Sequence, residues 1–138
     1  MTTTRIPASL QSALWTGSLA IGATYRMLLL GDAYVWAPAH STRANLTDEI
    51  AAGGGYTSGG VAATLAQTVD TSAGEHVLTI SPANVTPGPI TGARYAAIVR
   101  WRGGAASADE LVCVHDLGLE VATVGAFTMP PIVIRGRF

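Results

Sequence analysis

Residues 93–102 read ARYAAIVRWR, and this alternating stretch decides the fold class. Successive side chains along a β-strand point to opposite faces of the sheet. The face that we expect to point inward is aromatic or aliphatic throughout: Tyr95, Ala97, Val99 and Trp101. The face that we expect to point outward carries three arginines and two apolar residues: Arg94, Ala96, Ile98, Arg100 and Arg102. The stretch therefore predicts a strand with one buried face and one basic face.

Short apolar segments separated by turn residues recur on both sides of this strand. The predicted strands cover residues 23–30, 60–65, 67–70, 76–81, 90–101, 110–117 and 126–134. Turn residues at 70–74 and 102–109 separate neighbouring strands at hairpin distance. The sequence therefore predicts a single all-β domain over residues 21–138, either a β-sandwich or a small barrel. Residues 1–20 are expected to form an N-terminal arm or a short helix.

A polar loop over residues 34–55 follows the first firm strand. Ser41 or Thr42 is expected to cap one short helix that runs through Ile50. The acidic pair Asp48 and Glu49 is expected on the exposed side of that helix.

The glycine-rich segment over residues 53–60 reads GGGYTSGG and breaks any helix. It lacks the lysine of a Walker loop, and no strand-to-helix frame surrounds it. We therefore expect its glycines to permit tight turns and a close backbone approach at the entrance to the next strand.

The chain carries little charge for its size. Charged residues make up 12% of its 138 positions, hydrophobic residues 49%, and the formal net charge is −1. Ordinary globular domains carry about 25% charged residues, so much of this surface is expected to be covered by partners. The net charge offers no attraction to nucleic acid, and no apolar run reaches the roughly 18 residues of a membrane span. We therefore expect protein partners, with neither nucleic acid nor membrane binding.

Six residues are candidates for a partner interface: Trp36, Arg43, Tyr56, Arg94, Arg100 and Arg102. Trp36 lies in the polar loop and is the favoured anchor. The arginines of residues 94–102 have two interpretations, either a docking stripe or a solvated face paired with Glu110 and Asp116. Trp101 is expected in the core, and a core position is at least as favoured for Trp15.

No catalytic or metal-binding pattern stands out. His115 and Asp116 are adjacent on one predicted strand, so they point to opposite faces and Asp116 cannot readily orient the histidine. His115 is expected to be a half-buried structural residue, and Cys113 a buried small hydrophobe. The other histidines, His40 and His76, lie on separate segments without ligand spacing. We therefore predict neither an enzyme nor a protein with a metal or cofactor.

Four elements together make the chain similar to a known group of proteins. They are RMLLL at residues 26–30, GYTSGGV at 55–61, ARYAAI at 93–98 and DLG at 116–118. With these four elements in this order, the chain resembles a family of small proteins encoded among the virion genes of tailed phages. The likeness extends over about Tyr25 to Phe127. The Pro-Gly-Pro at 87–89 departs from it, because the family often has a tryptophan shortly before the ARYAAI element.

The resemblance implies a virion component, specifically a head decoration protein that binds and stabilises the major capsid protein lattice. Such a protein would be made in the host cytoplasm, would lie on the capsid surface and would form a homo-oligomer. The candidate contacts are the 34–55 loop, the arginine face and both termini. A tail or neck component is the first alternative, and a host receptor- or carbohydrate-binding module is the second.

Overall fold

The structure is a computed structural model that describes residues 3–8, 10, 20–123 and 125–137. It contains seven strands: β1 Thr3–Arg5, β2 Tyr25–Leu30, β3 Val61–Asp70, β4 Glu75–Pro82, β5 Thr91–Arg100, β6 Leu111–Ala122 and β7 Ile132–Arg137. They form one antiparallel sheet in the order β1-β6-β5-β2-β3-β4-β7, which curls into a nearly closed barrel or sandwich. The predicted all-β fold is confirmed.

The main core lies on the inner face of the curled sheet. Its apolar side chains come from six strands and include Met27, Leu29, Leu65, Ile80, Ile98, Val112 and Ile132. Burial of such aliphatic side chains contributes about 1.5–3 kcal/mol each before the entropy of ordering the chain is subtracted. This core accounts for the apolar alternation along the predicted strands.

A second core lies on the outer face of the central strands, beneath the segment over residues 31–50. It contains Leu28 and Leu30 of β2, Ala97 and Val99 of β5, and Tyr34 of the covering segment. Because both faces of β2 are covered, residues 27–30 can be apolar without a break. An unbroken apolar run in a strand predicts burial on both faces, and the structure confirms this for residues 27–30.

The prediction of which β5 side chains face the main core was wrong. Ala96 and Ile98, which were expected to point outward, lie in the inner core with no exposed surface. Ala97 and Val99 belong instead to the second core, beneath the 31–50 segment. Alternation identifies two faces of a strand, but it does not tell which of them a distant loop will cover.

The helix in the 41–50 loop is shorter than predicted. It is a single 3-10 turn over Arg43–Asn45 with Thr42 at its N-cap, and it ends well before Ile50. The side chain of Asn45 closes the turn by accepting hydrogen bonds from the backbone N–H groups of Ser41 and Thr42, at 3.0 and 3.1 Å. A second 3-10 turn covers Ala106–Ala108.

The residues after this turn are extended, and Glu49 forms a β-bridge with Leu30. Asp48 is exposed as expected, but Glu49 is half-buried, so its predicted exposed position was wrong.

The N-terminal arm adds a strand to the edge of the sheet. β1 pairs antiparallel with β6, and Thr4 lies opposite His115. Ala8 and Leu10 have helical backbone conformation. The sequence places the possible short helix at residues 8–14, and its other residues lie outside the described residues, as does Trp15.

Three other strands differ clearly from their predicted bounds, and one of them is β6, which runs to Ala122 rather than ending at Leu117. β3 is one continuous strand, and β7 begins at Ile132 because Phe127 forms only an isolated bridge with Val85. None of the helices in the described part of the chain is long and apolar enough to span a membrane.

The glycine-rich segment packs directly against other backbone. Gly60 has a φ of +93°, and a Cβ there would overlap the carbonyl oxygen of Met27. Gly55 has a φ of +91°, and a Cβ there would overlap the carbonyl oxygen of Thr86. The expected close backbone approach at the entrance to β3 is confirmed.

We expect Gly60→Ala to lower the free energy of unfolding by about 2 kcal/mol or more, because it combines a strained φ with overlap against fixed backbone. The measurement is urea denaturation. Gly136→Ala is the matched control, since a Cβ there meets no atom within 4 Å. Equal unfolding midpoints for the two variants would contradict the close approach.

Candidate interaction surface

The 31–50 segment presents apolar residues to solvent on its outer side. Val35 is 77% exposed, the largest exposure among the exposed large hydrophobic residues of the described chain. Pro38 and Ala39 are also exposed, and Trp36 and Ala37 are half-buried. We call residues 35–39 the apolar surface segment. Its members are contiguous, whereas isolated apolar residues on a surface carry no functional meaning.

The apolar surface segment is held in place by Tyr34. The ring of Tyr34 is buried in the second core and meets the ring of Tyr95 edge-on, with centroids 5.5 Å apart. Its hydroxyl shares a hydrogen bond with Nδ1 of His40 at 2.8 Å, and burial raises the pKa of Tyr34 to about 12. His40 in turn contacts Trp36 edge-on at 6.0 Å. The segment is therefore ordered before any partner binds, which lowers the entropy that binding must overcome.

The predicted arginine stripe is interrupted. Arg94 and Arg100 lie at opposite ends of the doubly buried part of β5, so they do not form one continuous surface. Arg94 binds Asp116, with Nε 2.8 Å from Oδ1, and Arg102 binds Glu110, with Nη2 2.8 Å from Oε1. These are the two ion pairs that the solvated-face interpretation predicted. Arg100 lies opposite Tyr25 in the register.

Tyr56 fastens the glycine-rich segment to the sheet. It is 1% exposed, so it offers no surface to a partner in this structure. Its hydroxyl donates to Oε2 of Glu49 at 2.6 Å and accepts from the backbone N–H of Leu29 at 3.0 Å. Burial, followed by the hydrogen bond to Glu49, raises the pKa of Tyr56 well above its usual range. Glu49 also accepts from the backbone N–H of Gly59 at 2.9 Å.

Trp101 lies in an arginine stack at the end of β5, and its predicted place in the core was wrong. It is half-buried, and the guanidinium carbons of Arg26 and Arg43 lie over its ring, 4.1 and 4.6 Å from the centroid. Nε of Arg43 donates to Oδ2 of Asp109 at 2.7 Å, and that carboxylate is fully buried. Gly59 packs against the edge of the indole. We call Arg26, Trp101 and Arg43 the arginine–tryptophan stack.

Sequence reasoning missed Arg26 as a functional candidate. Arg26 pairs with Val99 across the β2–β5 ladder, which places it diagonal to Trp101 on the same face. The only available signal was a charged residue opening an otherwise apolar strand. The strand pairing that places Arg26 near Trp101 joins Arg26 to Val99, 73 positions further along the chain.

The possible catalytic residues lie apart from one another. Nδ1 of His115 shares a hydrogen bond with Oγ1 of Thr4 at 2.8 Å, while Asp116 binds Arg94. Burial raises the pKa of Cys113 to about 12, so it is a core residue as expected. Within the described residues, no three His, Cys, Asp or Glu side chains are grouped as a metal site would require.

We expect Tyr56→Phe to lower the free energy of unfolding by about 1–3 kcal/mol, because the buried N–H of Leu29 loses its acceptor and Glu49 loses a donor. Tyr95→Phe is the matched control, since its hydroxyl makes no hydrogen bond within the described structure. Urea unfolding of both variants measures the difference. An equal change in the free energy of unfolding for Tyr56→Phe and Tyr95→Phe would contradict the stabilising role of the Tyr56 hydroxyl.

The pKa of His115 is lowered from its ordinary value of 6.5 by burial, which outweighs the opposing effect of Asp116. The unfolded chain therefore binds this proton more readily than the folded protein. The contribution of His115 to stability is present above about pH 6.5 and is lost as the pH falls toward the folded-state pKa.

We expect His115→Gln to flatten the pH dependence of the unfolding free energy between about pH 7 and pH 5. Urea titrations at several pH values test this. The hydrogen bond from Arg94 lowers the pKa of Asp116, whose contribution is lost only below its ordinary value of 3.8. The pH ranges in which His115 and Asp116 affect stability are therefore separate. If His115→Gln left the pH dependence of the unfolding free energy above pH 5 unchanged, the burial effect at His115 would be contradicted.

Comparisons with protein-family models, with curated proteins and with solved structures found no match for this chain.

Proposed function

We propose that the protein is a head decoration protein of a tailed phage, which binds the major capsid protein and stabilises its lattice. The support from the sequence is the ordered set of four elements that resembles phage virion proteins. The support from the structure is the apolar surface segment, ordered by Tyr34 and presented to solvent at Val35. That segment is the observation that carries the proposal, because it offers contact area to a protein without any reactive group.

The energetic role that we propose depends on repetition. A decoration protein bridges neighbouring capsid subunits, whose joints are pulled apart by the pressure of the packaged genome. Each copy needs only modest binding energy, since contacts repeated over the shell act together. A rigid apolar contact of a few residues suits this task, because little conformational freedom is lost on binding.

Self-association is part of the same proposal. The described sheet ends at β7 on one side, and its outer backbone edge pairs with no other described strand. Such an edge presents unpaired N–H and C=O groups that a neighbouring copy can use.

Binding to expanded, empty phage heads tests the proposal directly. We expect co-sedimentation with expanded heads and hundreds of copies per particle by quantitative mass spectrometry. A handful of copies, or a single ring, would instead indicate a tail or neck component. Absence from purified particles, together with no binding to heads, would contradict a virion role.

We expect Val35→Asp to weaken binding to heads at least tenfold while leaving the unfolding midpoint unchanged, because the side chain is 77% exposed. Ala73→Asp, at the exposed turn between β3 and β4, is the matched control for the added charge. Equal binding by the two variants would exclude the apolar surface segment as the contact.

A carbohydrate-binding role would give a different experimental result from a capsid-binding role. Trp101 offers a poor stacking platform for a sugar, because two guanidinium groups already lie over its ring. If Trp36→Ala abolished host adsorption while particle stability stayed unchanged, receptor binding would replace capsid binding as the function.

A further inference from the structure

The arginine–tryptophan stack lies at the end of the sheet where β2 begins and β5 ends. Arg26 opens the outer face of β2, and Trp101 follows β5 directly. Arg43 reaches the same ring from the 31–50 segment, which covers this face. A guanidinium held flat against an indole loses conformational freedom, and its N–H groups remain available at the edge of the stack.

The carboxylates at this end are already occupied by other arginines. Asp109 accepts from Arg43 through Oδ2 and from the backbone N–H of Arg102 through Oδ1, at 2.7 and 3.0 Å. Glu110 accepts twice from the side chain of Arg102 through Oε1, at 3.1 and 2.8 Å. Neither acid has an ion pair with Arg26.

Glu49, which lies across Gly59 from the stack, is bonded to Tyr56 and to the backbone N–H of Gly59. Throughout the described chain, no carboxylate lies within ion-pair distance of Arg26 or Arg100. Among the described residues of the outer face at this end, Arg26 is therefore a cation without an ion pair, and its guanidinium lies over an aromatic ring.

We propose that Arg26, held on Trp101 beside Arg43, binds a carboxylate of an acidic peptide segment in a partner protein. The planar guanidinium fork can bind a carboxylate through two parallel N–H···O bonds, which an ammonium group cannot do. The half-buried position of Arg26 strengthens the contact relative to one in open water.

The charge pattern favours a protein partner over a nucleic acid. Binding to a phosphate backbone draws its energy from many neutralised phosphates, and each contact releases counterions. On the outer face at this end, Arg43 and Arg102 each have an ion pair and Arg26 has none within the described residues, while the chain as a whole carries a formal charge of −1. One carboxylate of a peptide matches this single unpaired cation.

The inference rests on the proposed function, since it names the chemistry of the partner surface that a decoration protein would contact. The two can fail separately. Binding to heads without binding to an acidic peptide would overturn only the role of Arg26. Binding to an acidic peptide without binding to heads would overturn only the capsid role.

The experiment titrates the full chain with deca-glutamate in low-salt buffer and measures the dissociation constant by calorimetry. We expect Arg26→Gln to weaken binding about tenfold, as befits the loss of a charge-assisted contact. Arg26→Lys keeps the charge and the aliphatic stem but loses the fork, so we expect an intermediate loss. Arg135→Gln removes one positive charge from β7, far along the sheet order, and should bind as the unaltered protein does.

Different results of these titrations would overturn different parts of the proposal. Absence of binding, or equal weakening by Arg26→Gln and Arg135→Gln, would overturn the site. Equal affinity of Arg26→Lys and the unaltered protein would overturn the bidentate contact. Tighter binding of a ten-nucleotide single-stranded DNA than of deca-glutamate would overturn the choice of a protein partner. Urea midpoints of every variant show whether each of them is folded.

Discussion

The pairing of β2 with β5 is the constraint on which the rest of the structure depends. These strands pair over six positions, from Tyr25 with Arg100 to Leu30 with Tyr95. Their side chains are buried on both faces, against the inner core on one side and the 31–50 segment on the other. Strands buried on both faces cannot carry charge in their middle, because an unpaired buried charge is costly. The charged residues are therefore confined to the strand ends.

The confinement of charged residues to the strand ends explains how charge is distributed over the surface of the protein. At one end of β5, Arg94 is neutralised by Asp116 and approached by Asp32. At the other end, Arg26 and Arg43 lie over Trp101, and Asp109 and Glu110 bind Arg43 and Arg102. The asymmetry in charge follows from which acids the turns bring to each end. It leaves the outer face of the sheet with one basic region in addition to the apolar surface segment.

The covering segment stays on the sheet because buried polar groups fasten it at defined points. Glu49 is the centre of one such point, since it joins Tyr56 and Gly59 to the strand edge at Leu30. Buried polar groups of this kind must all be satisfied, and no buried side-chain nitrogen or oxygen in the described residues lacks a partner. A segment fastened in this way can present Val35 and Trp36 without rearranging. The same fastening makes Tyr56 a structural residue, although its place in a conspicuous sequence element suggested a contact.

The sequence by itself determined the all-β class, most turn positions, the burial of Cys113 and the separation of His115 from Asp116, because each follows from local alternation or adjacent residues. It also indicated that the apolar run at 27–30 is covered on both faces. Only the tertiary structure decided that Ile98 faces the main core, that Glu49 is a half-buried acceptor, and that Trp101 leaves the core to stack with Arg26 and Arg43. These features depend on strand pairing and loop placement between residues far apart in the chain. Local periodicity carries no information about such partners, since it specifies that a face will be covered but not by what.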